Sequence, residues 1–127
     1  MSIAFVNASS TLDLAAIERL VKLGGNQFVR QMIELFLDFV GKKVTEIRLA
    51  QQAGNLVGVA AAAHPIKSSA GNVGALRLQE LAARIEQLAK AAQSDELASL
   101  LNELEIAFAE VATLLETEKS KLPPRPV

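Results

Sequence analysis

The stretch 56-LVGVAAAAHPIKSSAGNV-73 decides the fold. Leu56, Val59, Ala63, Ile66, Ala70 and Val73 recur at alternating intervals of three and four. That spacing lines one side of an α-helix with apolar groups, the seam of a helical bundle. It predicts a helix from about Asn55 to Gly71, closed by a tight turn at Asn72 to Gly74. Pro65 lies inside it. There it removes one backbone hydrogen bond and crowds the carbonyl four residues back, at a cost of about 3 kcal/mol, which the helix-forming alanines before it partly offset.

Working outward, Gly54-Asn55 breaks the chain before this helix. Upstream, Val29, Ile33, Phe36, Val40, Val44 and Ile47 form a helical stripe over about Asn26 to Ala53. Phe28, Met32, Leu35 and Phe39 form a second stripe beside it. One wet-faced helix needs only one stripe, so the second must meet something else. Most of it is expected to pack under a short leading helix, about Leu12 to Leu23, whose Leu14, Ile17 and Val21 also need cover. Ser10-Thr11-Leu12-Asp13 is the expected cap of that helix, and Gly24-Gly25 its stop. Downstream, Leu78, Leu81, Ile85 and Leu88 mark a helix over about Ala75 to Ala92. Ser94-Asp95-Glu96 is expected to cap a last helix, with Leu97, Leu101, Leu104, Phe108, Val111 and Leu115 facing inward.

The fold class read from these periods is all-α: an antiparallel up-down four-helix bundle with a short N-terminal helix. One domain over residues 1–127 is expected, with 1–10 an N-terminal arm and 122–127 a loose, Pro-rich tail. At 127 residues the chain is long enough to bury a core without cross-links. It has no Cys, Trp or Tyr and a net charge of −1. Thiol chemistry and cysteine-bound metal are therefore excluded; with only five Phe a base-stacking platform is not expected, and nothing in the charge pattern points to a phosphate-backbone footprint. The opening residues lack a signal-peptide pattern, and no apolar run reaches bilayer length, so a cytoplasmic protein with no membrane or nucleic-acid partner is expected.

His64 is the only histidine. With Ala63 and Ile66 inward, it falls one step round the helix, toward solvent. Lys67, Ser68 and Gly71 share its face. An ammonium and a hydroxyl beside an open imidazole suit a phosphoryl group carried on the ring. A lone surface histidine is also, ordinarily, just a solvated residue, and spacing alone leaves both readings open. No second histidine, nucleophile elbow, metal-spaced carboxylate set or phosphate-cradling glycine loop accompanies it.

The run His64-Pro-Ile-Lys67-Ser68-Ser69-Ala-Gly-Asn72-Val-Gly74-Ala75-Leu76-Arg-Leu78 resembles the signature of histidine-containing phosphotransfer (HPt) domains. The likeness extends upstream through Gly24-Gly25 and Gly54-Asn55, and downstream through Leu81-Ala-Ala-Arg84-Ile85-Glu86. It implies a four-helix bundle with an extra N-terminal helix. It implies that His64 is the phosphoacceptor and that Lys67 steadies the phosphoryl group. Ser68 stands where the family usually has glycine, a small residue that lets a receiver domain approach. Glu86 and Lys90 match positions near the histidine that are polar in some relatives. The resemblance further implies a phosphorelay intermediate of two-component signalling. Its partners would be response-regulator receiver domains and a hybrid sensor histidine kinase. It would have no kinase activity or cofactor of its own, with Mg²⁺ on the receiver, and a monomer is expected. A non-transferring adaptor built on the same bundle is the competing expectation. An unrelated oligomerising bundle and a small-molecule enzyme stand further off.

Overall fold

A computed structural model describes residues 11–123. All regular structure among them is helical: α1 (Leu14–Gln52), α2 (Leu56–Asn72), α3 (Leu76–Lys90) and α4 (Leu97–Lys121). The expected arm over residues 1–10, and residues 124–127 of the expected tail, lie outside the described residues.

Asp13 caps α1, its carboxylate accepting the Ala15 N–H at 3.1 Å. The helix is interrupted at Gly25, whose φ of 87° and ψ of 176° leave the helical region. A positive φ there is open to glycine and strained for most other residues. The stop expected at Gly24-Gly25 is therefore real as a break in direction, with helical residues on both sides.

The stripe Val29, Ile33, Phe36, Val40, Val44 and Ile47 is buried along α1, as its period predicts. Ala63, Ile66 and Ala70 of α2 are wholly buried, as are Leu78 and Ile85 of α3 and Leu104, Val111 and Leu115 of α4. Each large aliphatic side chain so placed contributes about 1.5–3 kcal/mol of transfer free energy. α1 packs on α2 and α4, and α3 on α2 and α4, so the four helices close a ring around this core.

The second α1 stripe divides. Phe28 packs against the core, but Leu35 is 66% exposed and Phe39 41% exposed. The expected cover over Leu35 and Phe39 is thus not formed by the described residues. The α4 cap also differs from expectation. Glu96 is the N-cap and makes no side-chain capping bond. Its carboxylate instead meets Arg84 at 3.3 Å, and the first turn rests on a backbone bond from Leu97 N–H to the Ser94 carbonyl.

The α2–α3 turn is fixed by Gly74, at φ 79°. Its carbonyl accepts the Asp13 N–H at 2.7 Å, and a Cβ on Gly74 would stand 2.5 Å from the Asp13 carbonyl oxygen. The start of α1 is therefore pinned to the end of the helix that carries His64. α2 itself runs through Pro65 without ending.

Candidate functional site

α2 and α3 build the site between them. The α2 seam turns Ala63 and Ile66 fully into the core. This leaves the His64 side chain 67% exposed, on the solvent side of the helix. Lys67, one turn on, is half-buried, and Ser68 is exposed beside it. From α3, Glu86 falls between the inward residues Ala82, Ile85 and Ala89, so its side chain is only 5% exposed.

Three basic groups converge on that carboxylate. His64 Nδ1 lies 2.7 Å from Glu86 Oε2. Lys67 Nζ lies 2.5 Å from Oε1, and Lys90 Nζ 3.1 Å from Oε2. Burial pushes the Glu86 carboxyl up, but hydrogen bonds from Lys67, Lys90 and His64 outweigh it and bring the group down to about 2. Glu86 is therefore an ionised, acceptor-only carboxylate at neutral pH. Gln79 on α3 adds a second tie, its Nε2 donating to the Lys67 carbonyl at 3.0 Å. The backbone carrying Lys67 is thereby held against α3.

His64 sits on a ridge with apolar ground on both flanks. On the α3 side Leu56, Val57, Ala60, Ala61 and Ala89 line an open groove that also touches His64, Glu86 and Lys90. On the α1 side Met32, Leu35, Phe36 and Phe39 line a second, with Ser69, Asn72 and Val73 of α2. Among the described residues no three His, Cys, Asp or Glu side chains form a metal-holding cluster, and no helix is long and apolar enough to cross a membrane.

The structure thus brings His64, Lys67 and Ser68 to one exposed face, as the α2 seam predicts. The placing of Glu86 and Lys90 near the histidine, expected from the resemblance, also agrees. Sequence reasoning missed that Glu86 is the hub. The signal was present: Glu86 shares the helical face of Ala82 and Ala89, and an acidic residue on an inward face needs cationic partners. Lys90, four residues on, is one of them.

A family model for the Hpt domain matches residues 31–119, which include every residue of this cluster. Two solved structures share the fold. Histidine-containing phosphotransfer protein B (HptB) from Pseudomonas aeruginosa PAO1 superposes with a TM-score of 0.84 at 21% identity, covering 89% of this chain and 97% of that one. The HPT domain of an Hpt sensor hybrid histidine kinase from Shewanella gives 0.77 at 18% identity, covering 91% and 98%. No curated protein matches the chain. With the family match spanning more than half its length, this chain belongs to the Hpt domain family.

Proposed function

We propose that this protein is a phosphorelay intermediate: His64 accepts a phosphoryl group from a receiver-domain aspartate and passes it to another receiver. The observation that carries the reading is an exposed imidazole with one nitrogen held at 2.7 Å by a buried carboxylate and the other free of hydrogen bonds among the described residues. A ring so held presents a lone pair to an incoming partner, and the helix supporting it is packed into a core.

The transfer balances without any group from outside the pair. The His64 lone pair forms an N–P bond as the aspartyl O–P bond breaks, and that electron pair leaves on the aspartate carboxylate. The ring becomes an N-phosphoryl imidazolium, and the return step reverses each change. Histidine suits the role because an imidazole nitrogen offers a nucleophilic lone pair and can carry the phosphoryl group covalently. Lys67 offsets charge on the phosphoryl oxygens, and Ser68 is a small neighbour that leaves room for the receiver and can donate a hydrogen bond.

The receiver supplies Mg²⁺ and its acidic pocket, so this protein has no ATP site, no kinase activity and no cofactor of its own. Receivers and a hybrid sensor kinase are the partners, and the protein works as a cytoplasmic monomer. The whole chain, 1–127, serves as one domain. Its short connections support an antiparallel up-down order, with the segment before Gly25 as a leading helix. Leu35 and Phe39, exposed beside Ser69 and Asn72, supply apolar docking surface for the receiver.

Receivers phosphorylated on aspartate, mixed with the purified protein and Mg²⁺, test the reading. An acid-labile, base-stable phosphate on wild type and none on His64→Ala is the expected result. Binding without transfer from any receiver would turn the assignment to an adaptor.

A further inference from the structure

We infer that Pro65 makes the backbone carbonyl of Ala61 a docking acceptor beside His64: deprived of its helical donor, that oxygen takes a hydrogen bond from the receiver domain that covers this face. The inference rests on the phosphotransfer reading and adds to it a specificity-determining contact, one that favours receivers offering an N–H or O–H at that point.

Pro65 is the only proline within the four helices, and it falls next to His64. It lies well past the first turn of α2, where proline is tolerated, and the helix continues through it. In an unbroken helix the N–H of residue 65 would bond the Ala61 carbonyl. Proline has no N–H, so that acceptor is left to other partners. The ring also crowds the same carbonyl, and in helices such crowding tilts the oxygen away from the axis. The seam sets the side on which this happens. Ala62, Ala63 and Ile66 are buried, whereas Ala61, His64 and Ser68 are exposed and Pro65 is half-buried. Ala61 is thus one turn before His64 on the same outward face, and both line the open groove between α2 and α3. Ala60 and Ala89 stand beside it there, and their methyl groups are too short to screen the backbone. Water can serve the carbonyl while this face is open. A receiver that reaches the His64 ring covers the ground within one turn of it and displaces that water. It must then donate to the carbonyl or leave an acceptor buried and unpaired. The contact therefore discriminates among receivers that are equally able to give up a phosphoryl group.

Two replacements of Pro65 separate the carbonyl from the ring. Pro65→Ala returns an N–H to the helix and engages the Ala61 carbonyl along the axis. Lactic acid in place of Pro65, introduced by nonsense suppression with the hydroxy acid, puts an ester there, with neither ring nor N–H. Each full-length protein is offered a receiver phosphorylated on aspartate, in excess and with Mg²⁺, and the transfer rate is followed against receiver concentration. Pro65→Ala should raise Tm by about 5–10 °C, because a helix-interior proline is removed. It should also raise the half-saturating receiver concentration about 3–10-fold, the worth of one neutral hydrogen bond. The rate at saturation should not change, because His64 and Lys67 are untouched. The lactic acid protein should keep the half-saturating concentration of wild type. A wild-type value in Pro65→Ala would overturn the inference. An equal rise in both proteins would overturn it too, assigning the effect to the ring. A Tm that does not rise in Pro65→Ala would do the same, by showing that the carbonyl already has a donor. Those outcomes leave the phosphotransfer reading standing. A wild type that takes no phosphate from any receiver would instead overturn that reading, and the docked partner with it.

Discussion

Acid should remove a defined part of the stability, and Glu86→Gln should remove the same part at neutral pH. The Glu86 carboxyl falls from its ordinary 4.5 to about 2 in the folded protein, burial raising it and the bonds from Lys67, Lys90 and His64 lowering it further. The folded state therefore binds this proton less readily than the unfolded chain. Stability from Glu86 is fully present above about pH 5 and is lost as pH falls from there toward 2. At about 1.4 kcal/mol per pKa unit, the shift corresponds to about 3 kcal/mol. This is an upper figure for the variant, because His64 and Lys90, with side chains 67% and 65% exposed, recover hydration when the carboxylate is removed. The assay is urea unfolding followed by far-UV circular dichroism from pH 7 to pH 2, since the chain has no Trp or Tyr to report by fluorescence. The gap between wild type and Glu86→Gln should be about 2–3 kcal/mol at pH 7 and close toward zero as pH falls to 2 and below, where the Glu86 carboxyl takes up its proton in the folded state as well. Glu105, held down first of all by its bond from Arg48, contributes its own acid sensitivity to both proteins and cancels in the difference. Parallel curves for the two proteins over the whole range would refute the reasoning.

Three further outcomes follow from the same geometry. Lys67→Ala should fold normally yet accept phosphate about 10–100-fold more slowly, the worth of one charge-assisted contact to the phosphoryl oxygens. A melted variant in thermal circular dichroism would show instead that Lys67 mainly holds Glu86. Gly74→Ala should cost at least about 2 kcal/mol, or roughly 6–10 °C in Tm, because φ is 79° and the new Cβ would lie 2.5 Å from the Asp13 carbonyl oxygen. An unchanged Tm would mean that the start of α1 is not pinned there. Replacing Leu35 and Phe39 together by alanine should leave stability within about 1 kcal/mol while weakening binding of a phosphate-donating receiver by about tenfold. Unchanged receiver binding would place the docking surface elsewhere.

Much of this was legible in the residues because helices write their packing as a period. The α1 stripe from Val29 to Ile47 and the α2 seam from Val59 to Ala70 read directly as buried faces, and His64 followed as their outward neighbour. Gly25 and Gly74 were visible as breaks because a positive φ calls for glycine. What the period cannot carry is the meeting of side chains from different helices. The bonds from His64 and Lys67 to Glu86 span about twenty residues of sequence and depend on how α3 rotates against α2. Exposure of Leu35 and Phe39 is of the same kind: it depends on where the segment before Gly25 lies. The α4 cap failed for a third reason. Ser94 and Asp95 have good capping chemistry, but the chain turns at Ala92, at φ 57°, and the cap position falls on Glu96.

The central claim is that one imidazole both takes and gives a phosphoryl group. The most direct test is a two-step chase: receiver phosphorylated with labelled phosphate, then this protein freed of that donor, then a second, unlabelled receiver. The account predicts that label appears on wild-type protein, moves on to the second receiver in the presence of Mg²⁺, and never appears on His64→Ala. Label reaching His64→Ala as readily as wild type would contradict it, as would label that stays on wild type with every receiver offered.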